Sequence, residues 1–179
     1  MRIIIINGSA RSGKDKFTNF FKKHYDYETV NWSTVDKVKE IAKRNFNWDG
    51  KKTDDARLFL SELKRIWNDL NDGPFEYITN KISKHQLKID NYIDRENMVY
   101  FIHCREPEEI QKFIDKYKNC ITILLKRDDR RVPNNNSDKN VNNFDYDYII
   151  DNNGIENDLE NEAISFINKI NKDYEQISI

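Results

Sequence analysis

The sequence predicts an α/β fold of three layers, in which a central, mainly parallel sheet of five strands lies between two layers of helices. Apolar runs of strand length alternate along the chain with segments whose apolar residues recur at helical spacing. The first of these runs, residues 2–6, is unbroken and rich in isoleucine, as expected of a strand that is buried on both faces. Strands that alternate with helices are joined by crossover connections, so they pair in parallel.

A glycine-containing loop follows this first strand. Residues 8–15 read Gly-Ser-Ala-Arg-Ser-Gly-Lys-Asp, and a helix is predicted to follow because Phe17, Phe20 and Phe21 recur at helical spacing. A strand, a glycine loop and a helix in this order are the context that a G-x-x-x-x-G-K pattern requires. Glycines let the backbone curl so that its N–H groups point inward, and the lysine adds a positive charge for the β- and γ-phosphates.

We therefore predict that this loop binds a nucleoside triphosphate, although an ordinary turn between a strand and a helix is the alternative interpretation. The predicted contacts to the nucleotide come from Gly8, Ser9, Ala10, Arg11, Ser12, Gly13, Lys14 and Asp15. The last of these residues departs from the pattern, because the position usually holds a serine or threonine whose hydroxyl contacts Mg²⁺. A carboxylate can hold Mg²⁺ directly or through water. Asp15 is thus either a Mg²⁺ ligand or an ordinary acidic residue in the first turn of a helix, where the helix dipole tolerates it.

The next segment is predominantly helical. A short strand is predicted at residues 27–31, and a helix from Ser33 to about residue 44. A longer helix begins at Thr53 or Asp54, and Asp72-Gly73-Pro74 stops it and starts another helix that runs to about residue 88. The buried side of the longer helix is predicted from Leu58, Leu60, Leu63, Ile66, Trp67 and Leu70.

The remaining part of the chain returns to alternation of strands and helices. Strands are predicted at residues 98–103, 120–125 and 146–150, and helices at residues 106–117 and 159–170. A polar, charged stretch at residues 126–143 is predicted to be a lid-like loop, because so long a loop in a compact domain is usually functional or mobile. We see no domain boundary, so residues 1–179 are predicted to form one domain, with a helical section at about 33–90.

The composition of the sequence indicates which kinds of binding partner the protein is expected to have. The 30 Lys and Arg residues balance 31 Asp and Glu residues, so no basic excess favours nucleic acid as a partner. No apolar run reaches the length of a membrane span, and no membrane partner is expected. Cys104 and Cys120 lie in apolar, strand-like runs, which is typical of buried thiols in a reducing compartment such as the cytoplasm. We expect a small-molecule substrate, and a homodimer is compatible with the sequence.

The motifs together resemble the phage-type deoxynucleoside monophosphate kinases, which belong to the P-loop nucleotide kinase superfamily and are related in fold to adenylate kinase. Four stretches carry the resemblance: residues 8–15, which contain the family's R-S-G-K-D; residues 105–109; residues 124–127 followed by Ser137-Asp138; and residues 147–154. The first stretch is much the most specific, and the four together span both ends of the chain.

The resemblance implies transfer of the γ-phosphoryl group of ATP, with Mg²⁺, to a nucleoside monophosphate, in particular a deoxynucleotide. Catalytic roles are expected for Lys14, Arg11, Arg105 and Arg127, contacts from the lid to the phosphates for Arg127, Arg130 and Arg131, and recognition of the acceptor for Arg57, Asp55 and Arg105. The alternative for these arginines is a solvated surface charge, and for Arg57 it is an ion pair within its own helix.

One position departs from the family. The acidic residue that precedes the turn arginine by two positions, and that normally helps to hold Mg²⁺, is His103 in this chain. This departure favours a second hypothesis, a nucleotide-binding sensor or regulatory protein without turnover. A third hypothesis is a kinase of another small phosphorylated metabolite, which would share the ATP site and differ in the helical section.

Overall fold

The central sheet contains five strands that all run parallel, as the sequence predicts. The structure is a computed structural model that describes residues 1–128 and 140–177. The strands are β1 (Arg2–Asn7), β2 (Thr29–Ser33), β3 (Val99–His103), β4 (Cys120–Lys126) and β5 (Tyr148–Asp151), and their order in the sheet is β2-β3-β1-β4-β5. The strand that leads into the glycine loop is therefore at the centre.

Helices cover both faces of this sheet. They are α1 (Lys14–His24), α2 (Asp36–Phe46), α3 (Asp54–Asn71), α4 (Gly73–Gln86), α5 (Tyr92–Asn97), α6 (Pro107–Lys116) and α7 (Glu156–Ile177). The short helix α5 is absent from the sequence-based prediction, and the other helices occupy the predicted places. No helix among the described residues has both the length and the apolar character that crossing a membrane requires.

Strand β1 is buried along its whole length because its side chains alternate between two cores. Ile4 and Ile6 face the helices α1 and α7, whereas Ile3 and Ile5 face α4 and α6. The absence of any polar face on this strand follows from its place in the middle of a sheet that is covered on both sides.

An aromatic cluster joins α1 to the sheet. Phe101 of β3 meets the rings of Phe17 and Phe21 edge to face, with centroid distances of 6.3 and 4.9 Å. Phe166 of α7 packs against both α1 rings. These contacts fix the axis of α1, and therefore the direction in which its amino-terminal end points.

The predicted buried side of α3 is partly wrong. Leu58, Ile66 and Leu70 are 64%, 56% and 76% exposed, and no residue of the helix is fully buried. The helix packs beside α2 and α4 rather than on the sheet, so it offers the core a narrower face than its sequence suggests. The predicted start of the helix is confirmed, because the Thr53 hydroxyl accepts a hydrogen bond from the Ala56 N–H at 3.2 Å.

Two smaller expectations also need correction. Ser33 is the last residue of β2 and not the cap of α2, which begins at Asp36. The carboxylate of Asp36 instead accepts a hydrogen bond from the Ser33 N–H at 2.9 Å. Cys104 is buried as expected, whereas Cys120 is only half-buried because it begins β4 at the amino end of the sheet.

Replacement of Phe101 by alanine should lower the free energy of unfolding by about 3–5 kcal/mol, because it leaves a cavity between α1 and the sheet. Chemical denaturation monitored by circular dichroism would measure the change. The matched control is Leu70→Ala, which truncates a side chain that is 76% exposed and should change stability by about 0.5 kcal/mol or less. Equal losses in the two variants would contradict the assignment of the core.

Candidate functional site

The candidate site lies where the parallel strands end. In an open parallel sheet, ligands bind beyond the carboxyl ends of the strands. Residues Asn7, Ser33, His103 and Lys126 occupy these ends on four adjacent strands, and the glycine loop leaves the sheet between β3 and β4. The order of the strands thus brings together residues that are distant in the sequence.

The backbone of the loop requires glycine at two positions. Gly8 and Gly13 have φ angles of +147° and +101°, which side chains rarely permit. A Cβ atom at Gly8 would also overlap the Leu125 carbonyl oxygen, and one at Gly13 would overlap the Asn152 amide. Arg11 adopts a left-handed φ of 64° between them. The loop is therefore tightly curled, as an anion-binding loop must be.

The Lys14 ammonium group lies inside this curl. Its Nζ donates hydrogen bonds to the carbonyl oxygens of Gly8 at 2.6 Å and Ser9 at 2.8 Å, and it is 3.3 Å from the Ser12 hydroxyl. Helix α1 begins at this lysine with Gly13 as its N-cap, and no side chain caps that end. The first N–H groups of a helix lack partners within the helix and carry partial positive charge. The positive ammonium group and the positive helix end therefore coincide.

A buried carboxamide anchors the start of the loop. Asn7 accepts a hydrogen bond from the Gly8 N–H at 2.7 Å, and its Nδ2 donates to the Arg105 carbonyl at 3.1 Å and to the Tyr146 hydroxyl at 2.6 Å. Burial raises the pKa of Tyr146 to about 12, so this hydroxyl stays protonated and donates to the Val141 carbonyl at 2.9 Å. The loop is thus tied to the turn after β3 and to the segment before β5.

A second asparagine supports the other end of the loop. The Asn152 side chain donates to the Ser12 carbonyl at 2.8 Å, and its own N–H donates to the Lys126 carbonyl at 2.7 Å. Asn152 directly follows β5 and is 8% exposed. The residue that follows β5 therefore holds the loop at Ser12, just before Lys14.

Sequence reasoning did not single out these two asparagines. Asn7 had a recognisable signal, because it is a polar residue at the end of an otherwise apolar central strand. Asn152 had none beyond its turn-like neighbours, since its contact to Ser12 joins residues that are far apart in the sequence.

A directional chain of hydrogen bonds runs from β3 to α1. His103 Nε2 lies 2.6 Å from the side-chain Oδ1 of Asn31, the Asn31 Nδ2 donates to the Thr18 hydroxyl at 2.9 Å, and that hydroxyl donates to the backbone carbonyl of Asp15 at 3.0 Å. Burial lowers the pKa of His103 to about 4, and the attraction of Asp15 only partly opposes this shift. His103 is therefore neutral near pH 7 and carries its proton on Nε2.

Asp15 is the residue of the loop that suits a metal ion. Its carboxylate is 91% exposed and lies 3.8 Å from His103 Nε2. Magnesium usually keeps several waters and takes one or two carboxylates together with phosphate oxygens, and this single exposed carboxylate beside the loop fits that requirement. No group of three or more His, Cys, Asp or Glu side chains within residues 1–128 and 140–177 is placed to hold a metal.

The structure shows where three of the predicted arginines lie relative to the glycine loop. Arg105 follows β3 and is half-buried, and its backbone carbonyl accepts a hydrogen bond from Asn7. Arg127 is exposed directly after β4, whose Leu124 pairs with Asn7, and Arg11 is exposed on the loop itself. The structure therefore brings these three arginines to the same end of the sheet. Arg130 and Arg131 lie outside the described residues, as does most of the predicted lid-like loop.

Besides Arg105, two further residues are predicted to recognise the acceptor, and both are on α3. Arg57 is half-buried, and its guanidinium group lies 3.7 Å from the Asp54 carboxylate, one turn earlier in the same helix. Asp55 is exposed in the first turn. The local ion pair that the sequence allows is present, and recognition of an acceptor by Arg57 and Asp55 stays a prediction.

Solved structures share this architecture over nearly the full chain. A dephospho-CoA kinase from Campylobacter jejuni is similar with a TM-score of 0.53 and 14% identity, covering 97% of this chain and 100% of that one. TT1252 from Thermus thermophilus reaches 0.52 at 13% identity, covering 94% and 97%. A gluconokinase from Sinorhizobium meliloti 1021 reaches 0.51 at 10% identity, covering 99% and 98%.

These similarities show that the chain shares its fold with a dephospho-CoA kinase and a gluconokinase, so the predicted three-layer α/β fold is confirmed. At such low identities they describe the fold and leave the substrate open. No family model matches the sequence, and no curated protein matches it.

Replacement of Gly13 by alanine should weaken ATP binding at least tenfold and destabilise the fold by about 1–3 kcal/mol, because the new Cβ meets Asn152 in a strained backbone. Calorimetric titration with ATP and chemical denaturation would measure the two effects. Gly50→Ala is the matched control, since Gly50 has a φ of +90° but its Cβ would meet only the Lys43 side chain. A Gly50→Ala variant that loses ATP binding equally would contradict this interpretation.

The fold should become less stable as the pH falls from about 6.5 toward 4. His103 has a lower pKa in the folded chain, so protons bind the unfolded chain preferentially and the stabilisation present above pH 6.5 is lost, by up to about 3 kcal/mol. Denaturation at several pH values would show this slope, and His103→Asn should make it shallower. A His103 signal that titrates near 6.5 in NMR spectra would refute the prediction.

Proposed function

We propose that this protein transfers the γ-phosphoryl group of ATP to a nucleoside monophosphate, with a deoxynucleotide as the expected acceptor. The observation that carries the proposal is the Lys14 ammonium group, held inside a curled glycine loop at the amino-terminal end of α1. This arrangement concentrates positive charge and backbone donors where a triphosphate can bind. The similar folds of a dephospho-CoA kinase and a gluconokinase support a kinase, and leave its acceptor open.

Phosphoryl transfer depends on positioning and on positive charge around the transferring group. Lys14 exchanges its carbonyl partners in the loop for phosphate oxygens and so stabilises the charge that develops on them. Arg105 and Arg127 follow the two strands that flank β1, so they approach the phosphates from opposite sides of the loop. Mg²⁺, when bound by Asp15 and the phosphates, supplies further neutralisation of charge. Arg130 and Arg131 are proposed to complete the site from the lid-like loop.

The identity of the acceptor rests on the resemblance to deoxynucleoside monophosphate kinases. The helices α2 to α4 are proposed to form the side of the site where acceptors bind, with Arg57 and Asp55 at the start of α3. A guanidinium group on this side suits an acceptor that carries a phosphate. A kinase of another small phosphorylated metabolite would use the same groups and differ in the contacts to the rest of the acceptor.

A second function, nucleotide binding without turnover, is favoured by one observation. The end of β3 holds His103, which is neutral and hydrogen-bonded to Asn31, in place of an acid that would help to bind Mg²⁺. Measurement of Mg²⁺-dependent ATP consumption, in protein that demonstrably binds ATP, separates the two functions. Binding without consumption in the presence of a full panel of monophosphates would favour the sensor.

Replacement of Lys14 by alanine should lower kcat for diphosphate formation by about a hundredfold or more, because the mobile charge on the phosphates is lost. The assay incubates the protein with ATP, Mg²⁺ and a panel of nucleoside monophosphates and separates the products. Lys16→Ala is the matched control, since this lysine is half-exposed and pairs with Glu156 at 2.7 Å. If the Lys14→Ala and wild-type proteins form equal amounts of product, the proposal fails.

A further inference from the structure

A buried ion pair joins α3 to α6. Lys64 donates to Glu109 Oε2 at 2.6 Å, and the Cys104 thiol donates to the same oxygen at 3.0 Å. The side chains of Lys64 and Glu109 are 14% and 4% exposed, so the pair is largely withdrawn from water. Three separate elements, α3, the end of β3 and the first turn of α6, therefore meet at one carboxylate.

The two oxygens of the Glu109 carboxylate differ in their hydrogen bonds. Oε2 of Glu109 accepts from both donors, whereas its Oε1 is buried and has no hydrogen-bond partner among residues 1–128 and 140–177. Burial is the largest single influence and lowers the pKa of Lys64, but the interactions with Glu109, Cys104 and Glu106 together raise this pKa above its ordinary value. A buried pair with an unsatisfied oxygen is a poor source of stability compared with apolar packing of the same volume. What such a pair provides is a fixed geometry, because charge-assisted hydrogen bonds hold both partners in position.

The elements joined by this pair lie next in sequence to the residues proposed to recognise the acceptor. Glu109 lies one turn after Arg105, whose carbonyl is held by Asn7 at the base of the phosphate loop. Lys64 lies on α3, about two helical turns from Arg57. No residue of α3 is fully buried, and the helix packs beside α2 and α4 rather than on the sheet. The hydrogen bond from Lys64 to Glu109 therefore adds a directed contact that ties this helix to α6.

We propose that Lys64 and Glu109 are positioning residues, which set α3 relative to the Arg105 turn and thereby fix the geometry of acceptor binding. This inference rests on the proposed kinase function. The pair does not contact the phosphate loop, so its effect is confined to the acceptor side and leaves ATP binding unchanged. Glu109→Gln tests it most directly, because the amide keeps the shape of the side chain and removes the charge.

The Glu109→Gln variant should raise the KM for the acceptor about tenfold, with kcat and the Kd for ATP within about twofold of the wild type. Amide hydrogen exchange in α3 should quicken about tenfold, while exchange in β1 and β3 stays unchanged. The control is Glu62→Gln on the same helix, where the exposed pair with Arg65 at 3.0 Å should be dispensable. Unchanged exchange in α3, or an equal rise throughout the sheet, would overturn the proposal.

A double variant, Lys64→Met with Glu109→Leu, tests whether the pair positions α3 or only stabilises the fold. Apolar residues of similar volume should keep the protein folded and its sheet protected from exchange, yet the acceptor KM should stay raised because packing alone does not fix the helix. A return of the KM to the wild-type value would refute a positioning role. If the wild-type protein phosphorylates no acceptor, the proposed function fails, and exchange in α3 still decides whether the pair holds this helix.

Discussion

The burial of β1 on both faces is the constraint on which the rest of the structure depends. A strand without a polar face is stable only at the centre of a sheet that is covered by helices on both sides. Parallel neighbours then bring β3 and β4 to either side of it, with all carboxyl ends at one edge. The glycine loop leaves the sheet at the middle of that edge, so its ligand is surrounded by the turns that follow the flanking strands.

Amide side chains fix the two ends of the glycine loop. Asn7 and Asn152 hold these ends with uncharged hydrogen bonds, and both are largely buried. Between them, the Lys14 ammonium group donates to the loop carbonyls of Gly8 and Ser9. A neutral His103 supports the first turn of α1 through Asn31 and Thr18 without adding a charge beside the loop.

The two sides of the site are built differently. The side proposed to bind the nucleotide rests on a dense aromatic core, with Phe101 against the rings of Phe17 and Phe21. On the side proposed to bind the acceptor, α3 exposes Leu58, Ile66 and Leu70 and is tied to α6 by the Lys64–Glu109 pair. This difference in packing suits the proposed function, in which one substrate is admitted while the other is held.

The sequence by itself determined the order of strands and helices, the glycine loop and Lys14, because these features are local: a β-branched run, a helical period and a backbone that only glycine permits. It was wrong about much of the buried side of α3, since the width of a buried face depends on the neighbours that cover it. Only the tertiary structure decided that Asn7, Asn152 and His103 support the loop and that Lys64 meets Glu109. These contacts join residues far apart in the sequence, and only the packing of the sheet and helices brings them together.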